Sequence, residues 1–307
     1  MWIFDEVGPS TSTRLVSRGL ARHHRSTVSD GGWAEMPMAG RDRDGWELTR
    51  GAPATFVDLV RADGSMVRLG TRHHRKHQKP AAGRTWWAPR ARGWWIAVLF
   101  AAGSLLFALG AVPGYADAVG TRWDSVTYFA GSLLFTAASF LAYREAVDAS
   151  PRGLGRRRFF VYQPGRIDWW ATAVQLAGTV YFNVSCGVAM VTDLSASTAN
   201  QYVWRPDAIG SICFLVSSVL SWYEACHGWA AWRPRSYSWW ITLANLIGSL
   251  AFGVSAAAGY VNPVTGEVHN LERAGTQTLI GAICFLIGAI LLLPERTREN
   301  PVTNRAP

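Results

Sequence analysis

Four side-chain amides, Gln175, Asn183, Asn245 and Gln277, lie inside stretches that otherwise hold only apolar and small residues. An amide in such surroundings has two uses. It can hydrogen-bond across a helix interface, worth about 0.6 to 2 kcal/mol, or it can line a polar pathway for an uncharged or weakly polar solute. Gln175 and Asn245 each follow a Trp-Trp pair at the same distance, and Phe100 occupies the corresponding place after Trp94-Trp95. A second set is basic: Arg68, Arg72, Arg75, Lys76, Lys79, Arg84, Arg90 and Arg92, interleaved with His73, His74 and His77. Such a cluster is drawn to anionic lipid by about 1 kcal/mol per basic residue. That assigns Arg72, Arg75, Lys76 and Lys79 to contact with lipid headgroups. A metal site on the three histidines and a nucleic-acid contact are the alternatives, but neither ligand spacing nor a stacking pattern beyond Trp86 and Trp87 accompanies them, so no specific nucleic-acid binding and no cofactor are expected.

Catalytic sets are missing from the apolar stretches. Intramembrane hydrolysis needs paired aspartates, a Ser-His arrangement or HExxH at depth, and none is present, so the chain reads as non-enzymatic. The same stretches hold no ionisable group, which argues against proton relays and voltage sensing. Cys186, Cys213, Cys226 and Cys284 show no CxxC spacing and read as small packing residues.

The elements that must position these residues are six. Residues 94–112, 125–143, 169–192, 208–223, 239–261 and 274–293 contain no Asp, Glu, Lys, Arg or His. Most are long enough as helix to cross a hydrocarbon core of about 30 Å. The mean hydropathy of +0.07 is low only because the first ninety residues are polar. Residues 1–50 are too polar to offset the entropy of ordering and read as a disordered tail, with Met36 or Met38 as alternative starts to Met1. No cleavable signal peptide precedes the first apolar run. Within the basic juxtamembrane segment 51–93, the pattern over residues 55–69, broken at Asp63-Gly64, predicts a short β-hairpin. Lys and Arg concentrate before the first span, in the second and fourth connections and in the tail 296–307, which predicts that both termini are cytoplasmic.

The spans repeat one phrase. Trp94-Trp95, Trp169-Trp170 and Trp239-Trp240 each lead to a Gly-[Ser/Thr]-x-x-Phe, at Gly103 and Phe107, Gly178 and Phe182, Gly248 and Phe252. The following span repeats the second half, at Gly131 and Phe135, Gly210 and Phe214, Gly281 and Phe285. Three units result, 94–145, 169–224 and 239–295. Small residues recur seven and eight positions beyond every glycine, giving each helix a ridge on which a neighbouring backbone can approach, with the phenylalanine between. The tryptophan pairs read as interfacial anchors, with stacking on a ligand as the other use. Glu145, Glu224 and Glu295, ten residues beyond the second phenylalanine of each unit, are expected in interfacial ion pairs.

The phrases at Gly210–Ser218 and Gly281–Ala289, the latter running into Leu293-Pro294-Glu295, resemble the YrhK-like family of small bacterial membrane proteins, a two-helix unit with a GS-x-x-F phrase in each helix. The resemblance implies three such units in tandem over residues 94–295, and no catalytic residue. The expectation is an all-α integral protein of the bacterial inner membrane, six transmembrane helices in three pseudo-repeated hairpins. Its role is that of a structural or interaction module, or alternatively a transporter or channel for a neutral solute. Its partners would be the lipid bilayer, anionic headgroups and a second copy or another membrane protein.

Overall fold

Long runs of Ala, Leu, Ile and Phe without charge favour helix in any apolar setting, because helix satisfies every backbone group within the segment. In the computed structural model, described over residues 28–29, 33–35, 55–61, 66–76, 87–149, 160–191 and 194–297, these runs become helices α2 (Arg92–Gly110), α4 (Thr121–Asp148), α5 (Ile167–Val188), α7 (Arg205–Cys226), α8 (Tyr237–Ala258) and α9 (Leu271–Thr297). Short helices α1 (Thr71–Lys76), α3 (Tyr115–Val119) and α6 (Ala196–Ala199) lie between or before them. Among the described residues five segments are long and apolar enough to cross a membrane: Arg92–Gly110, Thr121–Asp148, Ala196–Cys226, Tyr237–Ala258 and Leu271–Arg296. Helix α5 is of comparable length, 22 residues, but carries Asp168, Gln175 and Asn183.

The segment expected as the shortest span, 208–223, is instead part of a continuous 31-residue helical run. That run begins at Ser195, whose hydroxyl caps Thr198 N–H at 3.2 Å. It passes through a π-helical turn at Asn200–Trp204 and continues past Pro206 in the first turn of α7. Proline lacks the N–H that an α-turn would use here, and a wider turn absorbs the loss.

The six long helices form a closed ring in the order α2, α4, α5, α7, α8, α9, with α9 returning to α2. Consecutive helices run in opposite directions, so the starts of α2, α5 and α8 gather with the ends of α4, α7 and α9 at one end of the bundle. Pairing is closest in α2–α4, α5–α7 and α8–α9. Within each pair the two glycines face each other and each phenylalanine lies on the partner's glycine. A Cβ on Gly103 would stand 2.7 Å from the Phe135 ring, and one on Gly131 2.8 Å from Phe107. Gly178 and Gly210 stand likewise against Phe214 and Phe182, and Gly248 and Gly281 against Phe285 and Phe252.

The six phenylalanines meet in one buried cluster on the bundle axis. Phe107, Phe182 and Phe252 form one triangle, with ring centroids 6.0 to 6.4 Å apart. Phe135, Phe214 and Phe285 form a second, at 5.8 to 6.2 Å. Three shorter contacts of 5.0 to 5.6 Å join the triangles within each helix pair. Hydroxyls bond across both kinds of contact: Ser218 and Ser249 meet at 2.8 Å between the α5–α7 and α8–α9 pairs, and Ser217 donates to Ala171 O at 2.7 Å within the α5–α7 pair.

Before the bundle, strands β3 (Phe56–Arg61) and β4 (Met66–Gly70) pair antiparallel. Strands β1 (Val28–Ser29) and β2 (Trp33–Glu35) extend the sheet in the order β1-β2-β3-β4, so part of the stretch expected to be disordered has its backbone paired against β3. The remainder of the expected tail, the Asp63-Gly64 turn and residues 298–307 lie outside the described residues.

Candidate functional site

Helix α1 follows β4 without a break and is tied to the start of β3 by Thr71 N–H donating to Thr55 O at 2.9 Å. Its sequence places Arg72, Arg75 and Lys76 three and four residues apart, which puts three cations on one face of a helix. Opposite them stand the three glutamates. Because each lies ten residues beyond its phenylalanine on α4, α7 or α9, all three carboxylates reach the same end of the ring. Each cation takes one. Arg72 donates to both oxygens of Glu295 at 2.8 and 3.2 Å. Arg75 donates to both oxygens of Glu224 at 3.2 and 3.3 Å. Lys76 donates to Glu145 Oε2 at 2.6 Å.

Hydroxyls complete the pairs: Thr71 donates to Glu224 at 2.8 Å and Ser238 to Glu295 at 2.5 Å. Arg75 also meets Asp168 at 2.8 Å, and Arg166 shares that carboxylate at 2.5 Å. Around the mouth, Arg72, Arg75, Lys76 and Arg166 therefore balance Glu145, Glu224, Glu295 and Asp168. Burial is deep, with Asp168 at 0%, Glu224 at 1% and Arg75 at 7% exposure. Charges so removed from water persist only when paired and fully hydrogen-bonded. Burial works against the Arg75 charge, but Glu224, Asp168 and Glu145 outweigh it and hold its pKa above the ordinary arginine value.

Three of the four residues expected at lipid headgroups, Arg72, Arg75 and Lys76, thus have carboxylate partners within the chain. Arg72, Arg75 and Lys76 turn inward, are largely buried, and spend their charge on the mouth glutamates. A lipid headgroup would have to displace a carboxylate already in place. Lys79 and His77 lie outside the described residues, as do the side chains of His73 and His74. Among the described residues no group of three His, Cys, Asp or Glu is placed to hold a metal ion.

Beneath α1 lies a cavity of about 80 Å³. Arg72, Arg75 and Lys76 form its roof, Phe100 and Phe285 contribute its apolar wall, and Gln175 and Asn245 face into it. The three equivalent positions after the tryptophan pairs, Phe100, Gln175 and Asn245, thus converge on one space. The other two amides do not join them. Asn183 Nδ2 donates to Thr136 Oγ1 at 2.8 Å across the α5–α4 contact, and Gln277 sits on α9 away from the cavity lining. Below, the phenylalanine cluster closes the axis, with Phe285 belonging to both.

The first tryptophan of each pair, Trp94, Trp169 or Trp239, is buried. The second donates its indole N–H to a proline carbonyl: Trp95 to Pro89, Trp170 to Pro164 and Trp240 to Pro234, at 2.8 to 3.0 Å. Those prolines recur five residues before each pair, a part of the repeat that the apolar pattern does not flag. Nor does that pattern flag Asp168. Its signal is positional: it precedes Trp169 where the other units carry Gly93 and Ser238. All four cysteines are free. Comparison with family models, with curated proteins and with solved structures finds no match.

Proposed function

We propose that the chain is a six-span integral membrane protein of three tandem hairpins, resembling YrhK-like units, which acts as a non-enzymatic scaffold holding its N-terminal sheet against one membrane face. The observation that carries this reading is the double closure of the bundle axis, by α1 across the mouth and by the phenylalanine cluster below it. A conduit needs a path, whereas an anchor needs rigid docking of the element it presents. The two polar amides that depress the apolarity of α5 support counting it as the sixth span, since Gln175 faces the internal cavity and Asn183 bonds to α4. The Lys and Arg distribution supports a cytoplasmic α1 end in a bacterial inner membrane.

Two measurements test it. Single cysteines at Ser236 and Thr265, at opposite ends of the ring, are expected to label from opposite sides of the membrane. Proteoliposomes carrying the protein are expected to admit glycerol no faster than empty liposomes. Faster swelling would replace the scaffold with the second reading, passage of a small neutral solute through the cavity, which requires both α1 and the phenylalanine cluster to move.

A further inference from the structure

The cavity beneath α1 contains an imbalance that scaffolding does not explain. Gln175 and Asn245 face it, and neither carboxamide makes a hydrogen bond to another described residue. Each offers one acceptor and two donors, and both residues are only half-buried, so these groups stand open to a partner within the cavity. Asn183 shows the other use of an amide: its Nδ2 bonds across the helix interface to Thr136, while its Oδ1 is buried without a hydrogen-bond partner. Asn245 moreover lies against a glycine of the cavity lining. A Cβ at Gly288 would fall 2.5 Å from Asn245 Oδ1, so the smallest residue makes room for the carboxamide.

We propose that this cavity is a binding site for a small uncharged molecule with hydrogen-bond donors and acceptors, and that α1 is its lid. The rim dictates the absence of charge. Among the described residues every cation of α1 already holds a carboxylate, so an ionic ligand would have to break a buried pair. The two amides dictate the hydrogen bonding, and Phe100 with Phe285 offers flat apolar surface to the remainder of the ligand. At about 80 Å³ the space takes a few waters or one solute of comparable bulk. Entry is from the mouth, where Arg72, Arg75 and Lys76 roof the space, because the phenylalanine cluster closes the other side. The site binds and releases through one opening, and the proposal requires α1 to undock transiently from the rim that the scaffold reading takes as its rigid seat.

Acetamide and glycerol are the probes, and acetate is the control because it matches acetamide in size but carries a charge. Ala142, which lines the cavity, is replaced by cysteine in the full-length protein with its four native cysteines changed to serine, and its reaction rate with methyl methanethiosulfonate is followed. Ser221→Cys, also in the lining, serves as a second reporter should Ala142→Cys disturb the fold. Acetamide or glycerol is expected to slow labelling at least threefold in a saturating manner, and acetate to leave it unchanged. Gly288→Ala, which displaces the Asn245 carboxamide without removing it, is expected to abolish the protection. Glu295→Gln, which loosens α1, is expected to raise the unprotected rate about tenfold. The site is overturned if neither neutral probe protects either reporter, if acetate protects equally, or if protection survives both Gly288→Ala and Gln175→Leu. The lid is overturned if the rate in Glu295→Gln equals that of the parent.

Discussion

Arg75 and Glu224 are separated by 149 residues and meet through two hydrogen bonds of 3.2 and 3.3 Å, both side chains almost wholly withdrawn from solvent. The pair is the most buried of three that fasten a one-and-a-half-turn helix, beside Arg72 on Glu295 and Lys76 on Glu145, and helices this short are unstable alone. It also converts the repeat of the membrane helices, which ends three times in glutamate, into a socket for one particular segment.

Replacing Arg75 with methionine leaves Glu224 and Asp168 each short of a buried partner. The expected loss is about 3 to 5 kcal/mol, the usual cost of breaking a buried pair from one side. Thermal unfolding in detergent measures it. Trypsin provides an independent readout: Arg72 and Lys76, shielded in the parent, should be cut at least tenfold faster in Arg75→Met. Equal cleavage rates would mean that α1 is not held by this pair.

How much of this was legible beforehand divides along a physical line. The glycine and phenylalanine contacts within each helix pair follow from spacing, because helical periodicity maps sequence distance onto a face, and Gly103 against Phe135 obeys that map. The destination of α1 does not. Arg72 finds Glu295 at a separation of 223 residues, and no local pattern distinguishes a basic helix seated in an acidic socket from one resting on anionic lipid. Both offer negative charge, and only the closing of the ring, which brings three distant carboxylates together, decides between them. The amides were half legible for the same reason: equivalence of register brought Gln175 and Asn245 to one cavity, while Asn183 and Gln277, outside that register, went elsewhere.

Lys76 and Glu145 permit a sharper test, being partly exposed at 10% and 15% and joined at 2.6 Å. Lys76→Glu and Glu145→Lys should each destabilise α1 docking, and the double exchange should recover at least half of the summed loss. Trypsin sensitivity and unfolding temperature of the two single variants and the double variant form the cycle. Additive losses would show that the two charges do not act on one another.

Helix pairing depends on approach at glycine. A Cβ on Gly248 would stand 3.1 Å from Gly281 O, a backbone atom that cannot step aside, whereas one on Gly253 meets nothing within 4 Å. Gly248→Leu should therefore cost about 1 to 3 kcal/mol through overpacking, and Gly253→Leu should be tolerated. Their unfolding temperatures measured side by side decide the matter, and equal effects would remove close approach as the organising contact of α8 and α9.

His227 ends α7 in the left-handed region at φ 53°, alone among the described non-glycine residues in having positive φ. Glycine takes this conformation without a Cβ penalty, so His227→Gly should stabilise the protein by up to about 1 kcal/mol. Burial, and secondarily Arg233, hold the imidazole pKa below its ordinary value of 6.5. The unfolded chain then binds the proton more readily, so the stability is whole above about pH 6.5 and declines as pH falls below it. Unfolding curves between pH 7 and 5 should show a shallower decline for His227→Gly than for the parent; parallel curves would assign the acid sensitivity elsewhere.

Phe107 touches Tyr128, Phe135, Phe182 and Phe252, so it links both triangles of the axial cluster to the ring's first helix pair. Truncation to alanine removes these contacts and leaves a void that neighbours locked on their partner glycines cannot refill, an expected loss of about 3 to 5 kcal/mol. Leu105 on the same helix points outward at 54% exposure and gives the comparison, since an alkyl group facing lipid or detergent has no fixed partner to lose. Phe107→Ala should unfold at a markedly lower temperature than Leu105→Ala. It should also raise glycerol entry into proteoliposomes if the cluster is the barrier on the axis, and unchanged entry in a folded Phe107→Ala protein would place the barrier at the α1 mouth alone.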